Sequence, residues 1–196
     1  MSANPPLPPA AAPPALAPAQ HKAALWADAA LQVDAVISGE RVPGLPARLA
    51  GADVADFDCL LPGALPAELQ RRAPYLVRLR RDAAFTDWLL FEAAAGLPDW
   101  GLLVSSATRF MGLRSHLRSL GEAQTPQGQT IPLAWMDPTL LRALLPLFSP
   151  AQLEAFFGPV QALVIPGPAA WTTATLQLGR LSWQSAALAA SQPGPG

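Results

Sequence analysis

Charge is what this chain has least of. Only 14% of its 196 residues are Asp, Glu, Lys or Arg, against roughly 25% in ordinary globular chains, so its surface should be weakly charged. The formal net charge of -1 supplies no basic footprint for phosphates and removes nucleic acid from the partners to consider. Cys59 is the single cysteine; an internal disulfide and a cysteine-based metal cluster are excluded, and a reducing compartment fits. Gly39, Gly44 and Gly51 are dispersed and no Gly-Lys-Ser or Gly-Lys-Thr occurs, which leaves nucleotide binding without support. Residues 1–20 have neither a basic leader nor a continuous apolar run, and their prolines would interrupt a spanning helix. No export signal and no membrane span is therefore expected, and the expected location is the cytoplasm.

Catalytic side chains are equally thin. A hydrolase needs a nucleophile, a base and an oxyanion site, and the candidates reduce to Ser105, Ser106, Cys59, His21 and His116. The serines lie in Leu-Val-Ser-Ser-Ala, without a Gly-x-Ser-x-Gly elbow, and Cys59 lies in Asp-Cys-Leu-Leu, without a cysteine-protease context. Asp53, Asp56 and Asp58 invite a metal reading, but strand alternation aims Asp56 and Asp58 at one solvent face beside inward Phe57 and Cys59. No catalytic residue, metal or cofactor is assigned, and the chain is read as a non-enzyme. The rival is a small α/β hydrolase-like enzyme using Ser105 or Ser106 with His116.

What the chain does have is alanine, proline and an alternation of short helices and strands. Residues 1–24 read as a disordered Pro/Ala-rich arm. Residues 25–166 read as one compact α/β domain, a mixed β-sheet with short helices packed on it. Residues 167–184 offer a further strand or hairpin, and 185–196 a flexible tail. Leu31, Val33, Ala35 and Ile37 alternate as a first strand; further strands are expected at 56–61, 75–80, 100–105 and 131–136, and helices at 46–50 and 66–72. Asp82 can cap a helix carrying Phe85, Trp88 and Leu89, with Gly96 and Pro98 as its stop. In the helix 109–120, Phe110, Leu113, Leu117 and Leu120 share a face, while Arg109, Arg114 and Arg118 form a basic outer face open to an acidic partner. Trp88, Trp100 and Trp135 read as core. Trp26, Trp171 and Trp183 lie in weakly patterned flanks, where interface and local packing are both open.

The richest stretch is 131–160, IPLAWMDPTLLRALLPLFSPAQLEAFFGPV. Asp137 can cap a helix that has Pro138 at its first position, and Pro146 ends it. Ser149 and Gln152 form a capping box around Pro150, with Leu153, Phe156 and Phe157 on one face, before Gly158-Pro159 stops the helix and launches a strand. These steps, with Ala73-Pro74-Tyr75-Leu76, Trp100-Gly101 and His116-Leu117-Arg118 in that order, make the region from Val33 to Ile165 resemble the adaptor/chaperone family of bacterial type VI secretion systems. Ala134 and Thr139 stand where that family often carries basic residues. The resemblance implies a cytoplasmic adaptor that binds a cognate toxic effector and helps load it onto a VgrG-like spike protein. It implies structural roles for Pro74, Tyr75, Trp100, Gly101, Asp137, Pro138, Gly158 and Pro159, and leaves Arg109, Arg114, Arg118, Trp171 and Trp183 as candidate partner contacts. An immunity protein that neutralises the effector is a further alternative.

Overall fold

Two interleaved sets of apolar side chains along the same strands determine the architecture. On β1 (Gln32–Ser38), Val33, Ala35 and Ile37 enter one buried cluster while Val36 enters another. On β3 (Pro74–Arg78), Tyr75 and Val77 join the first and Leu76 the second; on β4 (Gly101–Ser106), Leu103 faces one way and Leu102 and Val104 the other. A sheet apolar on both faces has to be covered on both.

The computed structural model describes residues 15–97, 99–124 and 127–189. Its main sheet has seven strands in the order β2-β3-β1-β4-β7-β8-β9, every neighbouring pair antiparallel. The remaining members are β2 (Asp56–Cys59), β7 (Val160–Ile165), β8 (Ala170–Gln177) and β9 (Arg180–Ala187). A separate hairpin joins β5 (Glu122–Gln124) to β6 (Thr130–Pro132). On the first face lie α1 (Pro18–Leu25), α2 (Leu45–Ala50) and a helical run through α4 (Ala84–Asp87), a π-helical Trp88–Ala93 and α5 (Ala94–Gly96). On the second lie α6 (Phe110–Ser119), α7 (Pro138–Leu144) and α8 (Pro150–Phe157). The short α3 (Ala67–Arg72) buries no residue. This is the mixed α/β domain expected, with its sheet antiparallel throughout.

The local signals of 131–160 are realised as bonds. Asp137 accepts from the amides of Thr139 and Leu140 at 2.8 and 3.0 Å. Ser149 and Gln152 close their box at 3.3 and 2.8 Å. Pro146 falls in a 3₁₀ turn, Leu145–Leu147, that terminates α7.

Other expectations are corrected. Residues 18–24, assigned to the arm, belong to α1, which Lys22 ties to Asp87 at 2.6 Å, while Leu16 makes a parallel bridge to Leu188. Residues 1–14 and 190–196 of the expected arm and tail lie outside the described residues. The hairpin at 167–184 is β8 and β9, full members of the sheet, and β9 runs on to Ala187. Asp82 does not cap α4, whose N-cap is Ala83 with no side-chain hydrogen bond. The strand expected at 131–136 ends at Pro132. Phe57 is 38% exposed, because edge strand β2 lies beyond the cover of the helices.

One buried ion pair crosses the sheet. Asp34, without exposed surface, receives Arg78 Nε and Nη2 at 3.0 Å each from its direct cross-strand neighbour, and Arg78 also donates to the Thr108 carbonyl at 3.2 Å. Burial pushes the Asp34 carboxyl above its ordinary 3.8, and the hydrogen bond and charge of Arg78 offset only part of that. Removing one partner leaves a bare buried charge, so Asp34→Ala or Arg78→Ala should each cost about 3–5 kcal/mol in denaturant unfolding, with the double variant well short of the sum. A raised folded pKa makes the carboxyl's contribution complete below the unfolded value and lost as pH rises through the folded one. Wild-type stability measured against Asp34→Asn should therefore fall with pH above about 3.8, and a flat difference would contradict the assignment.

Candidate partner-binding surfaces

The residues singled out by the sequence separate into a scaffold set and a small surface set. Gly101 has φ +152°, and a Cβ there would stand 1.9 Å from the Val36 carbonyl oxygen, so β1 and β4 close up only over a glycine. Trp100 is buried beside it and its carbonyl accepts from Ser38 N at 2.9 Å. Tyr75 donates its hydroxyl to the Gln70 carbonyl at 3.1 Å, anchoring α3, and the Pro74 carbonyl accepts from Leu60 N at 2.8 Å. Asp137 caps α7, and Pro138 is buried at its first turn.

The His116 region and the Gly158-Pro159 turn interlock. Gly158 has φ +48°, and a Cβ on it would come within 2.5 Å of the His116 ring. A His116 ring nitrogen meets the Phe156 carbonyl at 2.9 Å, and Ser106 Oγ donates to the Pro159 carbonyl at 2.9 Å while accepting from Thr108 N at 3.1 Å. Ser106 and His116 thus each hold one carbonyl of the α8–β7 turn, and no hydrogen bond joins them among the described residues. Ser105 is buried on β4. His21 packs against Trp171 with ring centroids 4.9 Å apart. No group of three His, Cys, Asp or Glu side chains is placed to hold a metal ion among the described residues.

The basic outer face of α6 is not laid out as expected. Arg109 is exposed at the N-cap. Arg114 reaches Asp58 at 2.7 Å with its side chain 17% exposed, and Arg118 donates to the carbonyls of Cys59 and Leu61 at 2.7 and 2.9 Å. Both guanidinium groups are turned onto β2 and the loop after it, because a long arginine stem spans the gap from helix to edge strand. Trp171 is buried in the first core cluster, whereas Trp183 is half-buried at the rim of the second, on the outermost strand. Trp26 is half-buried against the first cluster.

Three features had escaped the sequence: the Asp34–Arg78 pair, an open groove, and the outer edge of β9. The groove, of about 660 Å³, lies between α1 and the β7–β8–β9 half of the sheet, lined by Leu25, Leu31, Ser105, Val164, Trp171 and Ala186 among others. The spacing of Asp34 and Arg78 offers no local signal, and a groove depends on how far helices extend across a sheet.

Fold and surface together define an antiparallel α/β protein whose motif residues build the scaffold and whose arginines brace an edge. The family model described as "Domain of unknown function (DUF4123)" matches residues 35–155, more than half of the chain, and the chain belongs to that family, one linked to type VI secretion effector adaptors. No curated protein and no solved structure matches the chain. No helix among the described residues is long and apolar enough to cross a membrane.

Arg118 holds the backbone on both sides of Leu60, and burial pushes the Cys59 thiol up, which slows its reaction as a thiolate. Arg118 also holds the thiol pKa down by its charge, so in Arg118→Ala the gain in access should be read at alkaline pH, where the thiol is ionised in both proteins, as a severalfold faster Cys59 alkylation. An unchanged rate would show that the clamp does not govern access to the thiol.

Proposed function

We propose that this chain is a type VI secretion adaptor that binds a cognate toxic effector inside the producing cell and promotes its loading onto a VgrG-like spike, with no chemistry of its own. The observation that carries this reading is the family match over residues 35–155. Of the side chains a hydrolase would draw on, Ser106, His116 and His21 are occupied with turn carbonyls and ring packing, which supports it. Binding then depends on complementary surface, with specificity set by the difference between contacts to the right and the wrong partner.

The surface has apolar material for such contacts. Leu147 is 78% exposed, Met111 55% and Leu140 36%. Leu140, half-buried Leu144 and Leu147 recur at i, i+4 and i+7 along α7 and its terminal turn. Covering apolar side chains like these while shielding apolar segments of a cargo is how a non-covalent adaptor holds an effector soluble.

The test is co-expression with the proteins encoded beside this chain, followed by pull-down and size exclusion in moderate salt. The expected outcome is a stable complex with a toxin-like neighbour, a higher soluble yield of that toxin, and a ternary complex once a VgrG-like protein is added. Recovery of the chain alone, with the toxin's yield unchanged, would sink the reading. Rescue of poisoned cells without delivery would replace it with an immunity role.

A further inference from the structure

Helix α1 lies over the first face of the sheet without packing closely into it. Of its eight residues only His21 is buried, and there is a hollow on each side of it. The groove of about 660 Å³ has Leu16, His21 and Leu25 on one wall and Val164, Trp171 and Ala186 on the other. A second cavity, of about 310 Å³, lies between Pro18 at the start of α1 and Leu90, Phe91, Ala94 and Leu188. Protein interiors are ordinarily filled to the density of organic crystals, and side chains that border a void lose the contacts that would hold them. Polar contacts do much of the holding here. The Leu16 amide donates to the Ala187 carbonyl and the Leu16 carbonyl accepts from the Ala189 amide, both at 2.8 Å. A His21 ring nitrogen meets the same Ala187 carbonyl at 3.3 Å, and Lys22 reaches Asp87 at 2.6 Å. The Asp87 side chain is 49% exposed, so water and salt reach that ion pair.

We propose that α1 is a movable strap: within the folded chain it lifts from the sheet as a unit, with Lys22–Asp87 as its latch, and joins the two cavities into one trough along the first face. The fold permits this. All seven strands of the main sheet pair with one another, and α1 supplies none of them, so its departure breaks no pairing among the seven. It precedes β1 in the chain and is joined to it through residues 26–31, so β1 can stay in place while α1 moves. A helix this short does not hold its own shape, since isolated helices below roughly 12 residues are marginal in water; α1 therefore melts as it lifts. Lifting uncovers Trp171, whose ring packs on His21 with centroids 4.9 Å apart, and Val164 on the neighbouring strand, which are 4% and 5% exposed while the strap is closed. The closed strap thus keeps from water an apolar surface that the chain can expose without unfolding its core. The inference stands independently of the adaptor reading.

The test is native-state hydrogen exchange on the full chain below its denaturant transition, together with alkylation of a Val164→Cys thiol in a Cys59→Ser background. The amides of residues 21–25 should be at least about tenfold less protected than the ladder amides of β1 and β4, and less sensitive to denaturant, because a local opening exposes little surface. The thiol at position 164 should react through the same opening, more slowly than an exposed thiol and faster than global unfolding allows. Two variants separate the strap from the core. Ile165→Val trims the second cluster and should lower β1 and β4 protection severalfold while leaving that of α1 unchanged. Lys22→Ala should raise the opening of α1 by about threefold. Protection of α1 that follows β1 and β4 in Ile165→Val overturns the proposal, since α1 then opens only with the whole domain. Early exchange of α1 with the thiol reacting only at the global rate also overturns it, as fraying that uncovers nothing. So does a thiol that reacts like an exposed one, because the strap would then cover nothing, and an unchanged α1 in Lys22→Ala removes the latch. Should Val164→Cys misfold, the amide series on the unaltered chain and the other two variants decides alone.

Discussion

The Asp34–Arg78 pair is the constraint around which the rest of the sheet is ordered. It lies at directly opposed positions of β1 and β3, on the face covered by α6, with the guanidinium 5.5 Å from the Phe110 ring centroid and bonded to the Thr108 carbonyl just before that helix. The raised pKa of Asp34 shows that desolvation outweighs what Arg78 returns, so the pair is not a source of stability in the ordinary sense. Its effect is on alternatives. Sliding β1 by one residue would carry Asp34 into the opposite cluster among Tyr75 and Val77 and strand Arg78 under Phe110, a double penalty that a purely apolar strand would not impose. Because both faces of β1 and β3 are otherwise apolar, this polar pair is what distinguishes one register from its neighbours.

Close approach of backbones is the second constraint, and it explains why the motif residues are what they are. Gly101 lets β4 meet β1, and Gly158 makes room for the His116 ring over the α8–β7 turn. Ser106 reaches the same turn from β4. The segments that carry the family resemblance are far apart in sequence and meet here through two glycines, one imidazole and one hydroxyl. Their order and spacing identify the scaffold, and for the same reason they say little about partners: a side chain holding a turn together is not available to one.

What was legible in the sequence follows the range of the forces involved. The caps of α7 and α8 were readable because Asp137, Ser149 and Gln152 bond to amides within three residues. The apolar face of α6 was readable for the same reason. The outward basic face read for Arg114 and Arg118 was not realised, since helical periodicity says nothing about an edge strand more than fifty residues earlier, and both side chains turn onto it. Strands β8 and β9 registered only as a possible hairpin because they carry no valine or isoleucine and only two leucines, Leu176 and Leu181, among threonine, alanine and serine. The turn between them carries Leu178 at φ +49°, where a glycine or asparagine would have announced it. The π-helical stretch Trp88–Ala93 left no trace, since its apolar residues fit an α-helical period as well.

The two edges of the sheet are treated in opposite ways, and the difference coincides with the limit of the family match. At one end β2 has four residues, carries Asp56 and Asp58, and is braced from α6 by Arg114 and Arg118; short length and charge make it a poor template for another strand. That edge lies within the matched residues 35–155. Strands β7, β8 and β9 lie beyond them, and there the sheet extends outward with few charges and an open groove under α1. The scaffold defined by the Asp34–Arg78 register and the two glycine contacts is complete before β8 begins. Of the strands added after it, β8 still puts Trp171 and Ala174 into the two clusters, so the outermost strand β9, whose residues are at most half-buried, is where length and edge chemistry can change at least cost to the core.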